Sequence, residues 1–345
     1  MSESPITLGL LDDAGAARWD AFVLACPEAT FFHRAGWRTI LEQVFGHRTW
    51  FMYAQQDGRL RAVLPLAQVK SLLFGNTLCA LPFCVYGGIA ADCARAAALL
   101  DAAAWRLAEE LGVGHLEYRN LHPRAQGHGA SALYATFRRP LLPEPEQNLL
   151  AIPRKQRAMV RKGIAAGLAS TIDGASDDFF GAYADSVHRL GTPVFSRRYF
   201  RALAEVFGDD CEFMSVRHGG ATVCAVLNFY FRDQVLPYYG GGGAAARALA
   251  GNDFMYWEVM RRACARGCLL FDFGRSKRGT GAYDFKKNWG FEPQPLAYEY
   301  RLLRARAVPE RNPLNPRYSL PIRAWRALPL RVANLIGPHI VRNLG

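Results

Sequence analysis

What the chain is short of narrows its class before any motif is read. No apolar run approaches the roughly 18 residues that cross a bilayer. The opening stretch, MSESPITLGLLDDAGAARWD, is acidic and lacks the basic-then-apolar order of an export signal. A cytoplasmic protein is therefore expected, reaching the inner face of the membrane at most peripherally. Paired histidines at ligand spacing are missing beside the eight cysteines, which stand at 26, 79, 84, 93, 211, 224, 264 and 268, mostly inside apolar segments. Cys264 and Cys268 can share a helix face, but two ligands do not make a zinc site, so reduced core thiols and no metal are expected. Acidic side chains are in deficit too, 30 against 42 Lys and Arg, leaving a net charge of +12 carried mainly by arginine. That balance suits carboxylate or phosphate partners better than a merely solubilised surface.

What is present describes a folded chain: half of the 345 residues are apolar and 21% are charged. The length exceeds one ordinary core and predicts two domains of about 150 residues each. An internal repeat sharpens this. ILEQVFGHRTWFMYAQQDGRLRAVLPL from Ile40 aligns with ALAEVFGDDCEFMSVRHGGATVCAVLNF from Ala202, matching Val44-Phe45-Gly46 to Val206-Phe207-Gly208 and Phe51-Met52 to Phe213-Met214. Gly58 and Gly220 keep the offset, and LPFCVYGG from Leu81 echoes LPYYGG from Leu236. Each copy reads as helix, strand, two-residue turn, strand, strand, helix, strand, with Asp57-Gly58 and Gly219-Gly220 as hairpin turns. The helix of the second copy, NDFMYWEVMRRACARG, is expected to open with Asn252 as N-cap and to stop at Gly267.

Prolines in RRPLLPEPEQNLLAIP mark a linker near residues 138 to 153. The expected division is a first domain over 1–145, a second over 146–304 and an Arg/Pro-rich tail over 305–345. The fold class is α/β of the α+β kind: two tandem domains, each a mixed, mostly antiparallel sheet flanked by helices, plus a basic amphipathic tail. FDFGRSKRGTGAYDFKKNWGFEP, residues 271–293, reads as a pliable cationic loop behind a short strand, with aromatics to anchor it.

The tandem halves, IPRKQRAMVRKGIAAGL after the linker, FDFG and YDFKKNWGFEP together resemble the FemAB family of acyl and aminoacyl transferases, and the likeness covers nearly the whole chain. HRLGTPVFSRRYF and the basic tail are most similar to the FemAB-related proteins associated with exosortase/PEP-CTERM exopolysaccharide systems. The resemblance implies two GNAT-like domains and an enzyme that moves an activated acyl group, from aminoacyl-tRNA or acyl-CoA, onto an amine, with no bound cofactor. It places Lys286, after Phe285, near the reacting centre. Asp272 either orients a donor or accepts the amine proton, or else pairs with Arg275 or Lys277; its repeat counterpart is Glu117. Arg189 is implied at the acceptor pocket, with His188, Arg197 and Arg198 close by, and Tyr238 or Tyr239 at the acceptor site. His33 and Arg34 are implied as contacts from the first domain, while Trp37 reads as core. Arg275 and Asn252 complete the candidate substrate contacts, Asn252 at a helix N-terminus that offers N–H groups to an anion.

For coenzyme A, SKRGTGA from Ser276 has the glycine spacing of a pyrophosphate loop but follows the wrong strand, and GGGGAAARALAGND lacks that spacing. In the tail, residues 320–341 align Ile322, Trp325, Leu328, Val332, Leu335 and Ile336 along one helix face with Arg323, Arg326 and Arg331 largely opposite, interrupted by Pro329. Such a tail either docks on its own domain or lies on a membrane. The expected partners are an anionic glycan or a nucleotide-linked or lipid-linked precursor, and charged tRNA. The expected function is amide formation on an amine-bearing cell-envelope or exopolysaccharide precursor; the alternatives are a non-catalytic scaffold for glycan or partner proteins of an export system, and RNA binding without chemistry.

Overall fold

The computed structural model describes residues 4–71, 74–124, 129–131, 133–308 and 319–344. The chain forms two compact units. The first comprises Met1–Ala132, Leu296–Arg311 and Arg342–Gly345; the second comprises Leu133–Pro295 and Asn312–Val341. These bounds differ from the expected division at 145/146 and 304/305, and strand pairing is the reason. Tyr134–Pro140, whose last three residues fall in the expected linker at 138–153, pairs antiparallel with Leu270–Asp272, Ser276–Lys277 and Pro293–Pro295 of the second unit. Ala297–Leu302 pairs instead with His115–Asn120 and Gly129–Ser131 of the first. Each strand satisfies its backbone groups in the sheet that has an open edge for it.

The repeat is real in three dimensions. In the first unit the strands run in the order Thr7–Leu10, Arg48–Gln56, Arg59–Ser71, Gly75–Cys79, His115–Asn120, Ala297–Leu302 and Gly129–Ser131. In the second the order is Ser276–Lys277, Tyr134–Pro140, Leu270–Asp272, Gln234–Gly242, Ala221–Phe231, Cys211–His218 and Ala169–Ile172. Both sheets are antiparallel except at one pair: Gly75–Cys79 with His115–Asn120, and Gln234–Gly242 with Leu270–Asp272. Each parallel pair is bridged by a crossover helix, Ala94–Glu110 or Gly251–Ala265. The hairpin turns fall where expected, with positive φ at Asp57 and Gly58 and at Gly219 and Gly220.

The second crossover helix starts differently from the expectation. Its cap is Ala250, in the left-handed region at φ 57°, and Asn252 lies inside the first turn; Gly267 at φ 74° ends it as read from sequence. Phe254, Trp257, Val259, Met260 and Ala263 are buried against the sheet together with Ala135 and Phe137 from the exchanged strand. The segment 271–293 is not a pliable loop. It holds the strand Ser276–Lys277 and the helix Gly281–Asn288, capped by Thr280, whose side chain accepts from the Tyr283 N–H. Trp289 and Phe291 are buried and anchor it, as expected.

Candidate functional site

The chemistry-bearing residues of the second unit gather where its parallel pair comes apart. Gln234 pairs with Leu270 and Val235 with Phe271, and there the ladder ends. From Leu236 to Gly242 the strand continues against Ala221–Phe231 alone, so among the described residues its other edge has no strand partner. A register shift between Leu227 and Asn228 leaves Tyr238 opposite no single residue, a β-bulge that re-aims the chain beside the open edge.

Asp272 closes the short strand at the base of this splay and is fully buried. Its Oδ1 accepts from the Gly274 N–H at 2.7 Å and from the Thr136 hydroxyl at 3.3 Å. Its Oδ2 lies 3.2 Å from Arg138 Nε, and Arg138 also donates to Gln234 Oε1 at 3.1 Å. Arg138 is thus a structural ion-pair partner of Asp272 beyond the Arg275 and Lys277 weighed from the sequence. Arg275 lies over the Tyr134 ring at 4.7 Å, and Lys277 Nζ is 5.7 Å from the same ring.

Lys286 projects from the helix Gly281–Asn288 onto the turn after Asp272. Its ammonium donates to the carbonyls of Phe273, Gly274 and Arg275 at 2.7, 3.0 and 3.2 Å. Burial pushes its pKa down to about 7, opposed by the negative charge of Asp272 and reinforced by Arg275. Three carbonyls take up the three donors of an ammonium, so Lys286 fixes the Phe273–Arg275 turn. Phe285, nominated beside it, packs its ring against Tyr256 at 5.6 Å and Trp289 at 6.0 Å within the core.

The other nominated residues divide between lining and scaffolding. Tyr238 and Tyr239 are both half-buried on the strand, with rings 4.7 Å apart. Tyr239 turns into a cluster with Tyr183, Phe195, Tyr199 and Phe200, its hydroxyl 3.1 Å from that of Tyr199. Tyr238 lies against Phe229 at 5.2 Å. Arg189, on the helix Asp177–Leu190, pairs with Asp185 at 3.1 Å and donates to the Gly242 carbonyl, clamping the strand end to the helix. The glycines of YYGGGG serve the same approach. A Cβ at Gly241 would lie 2.4 Å from Ser186 Cβ and 2.6 Å from the Ala182 carbonyl.

Asn252 is packed beside Gly242, where an added Cβ would lie 3.1 Å from its Oδ1. The short helix Ala244–Ala248 packs against the same first turn, with Ala246 buried and its Cα 3.2 Å from where a Gly251 Cβ would stand. The helix start read as an anion cradle is therefore lined by the chain's own residues. His188 Nε2 lies 3.1 Å from the Trp325 carbonyl and ties down the tail, and Arg197 pairs with Asp177.

His33 belongs to the first unit and is buried. Nδ1 is 3.1 Å from the Thr30 N–H and hydroxyl, and Nε2 is 3.2 Å from the Gly88 carbonyl. Burial pushes its pKa down to about 4. Glu117, the counterpart of Asp272, is likewise paired, with Arg119 at 2.8 Å. An acidic residue at this strand position is satisfied structurally in both units.

Sequence reasoning missed Thr136, Arg138 and Asp253. Arg138 falls within the expected linker at 138–153 and Thr136 just before it, although the alternation of ATFRR was the available signal. Asp253 Oδ1 accepts from Trp289 Nε1 at 2.9 Å, and burial raises its pKa. Among the described residues no group of three or more His, Cys, Asp or Glu could hold a metal ion, and no helix is long and apolar enough to cross a membrane. All eight cysteines are free thiols, six of them buried.

Residues 152–287 match the domain family described as acetyltransferase (GNAT) domain. No curated protein matches the chain. Among solved structures, FemX superposes with a TM-score of 0.69 at 13% identity, over 86% of this chain and 98% of that one. The C-terminal domain of a candidate lysylphosphatidylglycerol synthetase from Agrobacterium fabrum gives 0.56 at 13%, over 83% and 91%. A tandem GNAT protein from the clavulanic acid biosynthesis pathway gives 0.54 at 14%, over 86% and 98%. At these identities the likeness is one of fold: two tandem GNAT-like units, the second carrying the matched acetyltransferase domain.

Proposed function

We propose that the protein is an N-acyltransferase or aminoacyltransferase of FemAB type, forming an amide on an amine-bearing cell-envelope or exopolysaccharide precursor. The observation that carries this reading is the divergence of Leu236–Gly242 from the short strand Leu270–Asp272, beside the anchored turn Phe273–Arg275. A diverging strand presents backbone N–H groups in fixed positions. When an amine attacks a thioester or ester carbonyl, negative charge develops on the carbonyl oxygen, and a preorganised donor there is worth about 2.7–4 kcal/mol. The new C–N bond forms, the C–S or C–O bond breaks, and the amine proton leaves with the departing thiol or hydroxyl. No covalent intermediate on the protein is required.

In this reading Lys286, Asp272 and Phe285 are positioning residues that hold the turn beside the diverging strand. Tyr238 at the bulge and Arg275 on the turn contact the acceptor, with Arg189, Tyr239 and Asn252 supporting the same strand. The donor is acyl-CoA or aminoacyl-tRNA. The acetyltransferase domain match supports the first, and the short helix packed on the start of the crossover helix supports a donor that does not seat a pyrophosphate there. The acceptor is an anionic glycan or a nucleotide-linked or lipid-linked precursor, reached from the cytoplasm. Mass spectrometry of exopolysaccharide intermediates from cells with and without the protein tests this: an intermediate that differs by an acyl or aminoacyl mass is expected, and none would overturn it.

A second reading, a non-catalytic GNAT-like scaffold, is favoured by one observation. The ammonium of Lys286 and the carboxylate of Asp272 are both engaged by the protein itself. Glycan affinity without turnover of either donor would select it.

A further inference from the structure

We infer that the helix pair Ser319–Ala327 and Leu330–Val341 is a peripheral binding surface for an anionic lipid bilayer. The second helix docks on the second unit by one face only. Ala333, Gly337 and Val341 are buried and recur every four residues, and Gly337 lets the helix approach so closely that a Cβ there would lie 2.9 Å from Val194 N. The first helix is held alongside by the Trp325 carbonyl, 3.1 Å from His188 Nε2, and by Arg326, which donates to the Leu190 carbonyl at 3.2 Å.

Docking in this way fixes the opposite face outward, and that face is apolar. At 100° per residue, Val332, Leu335 and Ile336 fall on the arc away from Ala333, Gly337 and Val341. Leu335 is 72% exposed and Leu320, on the first helix, 71%, while Val332 and Ile336 are also exposed. Leu190, at the end of the helix that receives the tail, adds a further exposed leucine. Arg323 and Arg331 are exposed as well, and residues 319–344 contain no Asp or Glu. Elsewhere on this surface arginines pair with carboxylates, as Arg217 does with Asp173 and Asp178 and Arg262 with Glu212. Exposed leucines and valines together with cations of one sign match the boundary between acyl chains and anionic headgroups. The surface would bring the second unit to a lipid face whether or not the proposed transfer occurs.

Full-length protein is sedimented with vesicles of phosphatidylcholine and with vesicles carrying about a third phosphatidylglycerol. Binding about tenfold tighter to the anionic vesicles and weakening with added salt is expected. Leu320→Glu with Leu335→Glu should remove it, and Arg323→Glu with Arg331→Glu should abolish the preference for anionic lipid. Both pairs are exposed, and an unchanged circular dichroism spectrum and thermal midpoint confirm that each variant folds. Failure of the wild type to bind, or equal binding by the variants, overturns the inference. So does a dimeric mass for the wild type that the leucine pair returns to a monomer without vesicle binding, which would make the face a contact between copies of this chain.

Discussion

Lys286 Nζ donates to the carbonyl oxygen of Phe273 at 2.7 Å, and that single contact ties the helix Gly281–Asn288 to the residue following the fully buried carboxylate of Asp272. The carbonyls of Gly274 and Arg275 complete the coordination. A cation bound by three carbonyls at a strand exit is a structural device first, and any role in group transfer acts through the turn it holds. The distinction is testable because structural and chemical roles move different observables.

Lys286→Met removes the three donors and leaves buried carbonyls without a partner, at a cost of about 1–3 kcal/mol. Lys286→Arg should not rescue it, since a planar guanidinium cannot meet carbonyls arranged around a point. Urea denaturation checks this: both variants should lose midpoint. A Lys286→Met protein as stable as wild type would show that the lysine is not holding the turn.

The same residue sets a pH dependence. Its folded pKa of about 7 lies below the ordinary 10.5, so between these values the unfolded chain binds more protons than the folded one. Stability contributed by this group therefore rises with pH across that window and is flat below it. The stability difference between wild type and Lys286→Met should widen from about pH 7 toward alkaline pH. A difference that stays constant or narrows would contradict the burial of the ammonium.

His33 gives the acid counterpart in the first unit. Its pKa is held near 4 against an ordinary 6.5, so the unfolded state takes up a proton first as the pH falls through that interval. Wild-type stability should decline from about pH 6.5 to 4 through this group, and His33→Gln should show a shallower decline. Denaturation midpoints measured at several acidic pH values decide it; parallel curves for the two proteins would count against a buried neutral imidazole.

Asp272 and Arg138 form a cross-strand pair in which the carboxylate is fully buried and the guanidinium partly so. Asp272→Asn keeps the size of the side chain but strands the Arg138 charge, and breaking such a pair by one partner costs about 3 kcal/mol. Pairing it with Arg138→Met should recover much of that loss, giving a clear coupling in a double-mutant cycle. Additive losses would mean that Asp272 is held for another purpose, such as contact with substrate.

The repeat made most of the architecture legible, because hairpin glycines and paired VFG and FM motifs report local geometry that the chain must obey wherever it packs. The site was legible in part. Lys286, Asp272 and Arg275 do converge on one turn, since all three lie within one short stretch whose register is set by the strand before it. What the sequence hid was long-range pairing. Arg138 reaches Asp272 only because Tyr134–Pro140 crosses into the second sheet, and no local pattern names a strand's partner. Asn252 was misplaced for a related reason. The helix begins two residues earlier because Ala250 takes a left-handed φ, which few non-glycine residues adopt and which propensity does not foresee.

The exchanged strand yields the most direct test of how the units are built. Ala135 and Phe137 are fully buried in the core of the second unit, and their strand meets the edges of Leu270–Asp272, Ser276–Lys277 and Pro293–Pro295. A fragment over 146–304, the division suggested by the prolines, would lose that strand and carry Ala297–Leu302 with no partner. Open edges of this kind template association, so the fragment should be insoluble or lack near-UV circular dichroism. A fragment over 133–295 retains every strand of the second sheet and should be the more soluble of the two. Cooperative unfolding of 146–304 would show that Tyr134–Pro140 is dispensable, and the account of Asp272 held by Arg138 would then have to be abandoned with it.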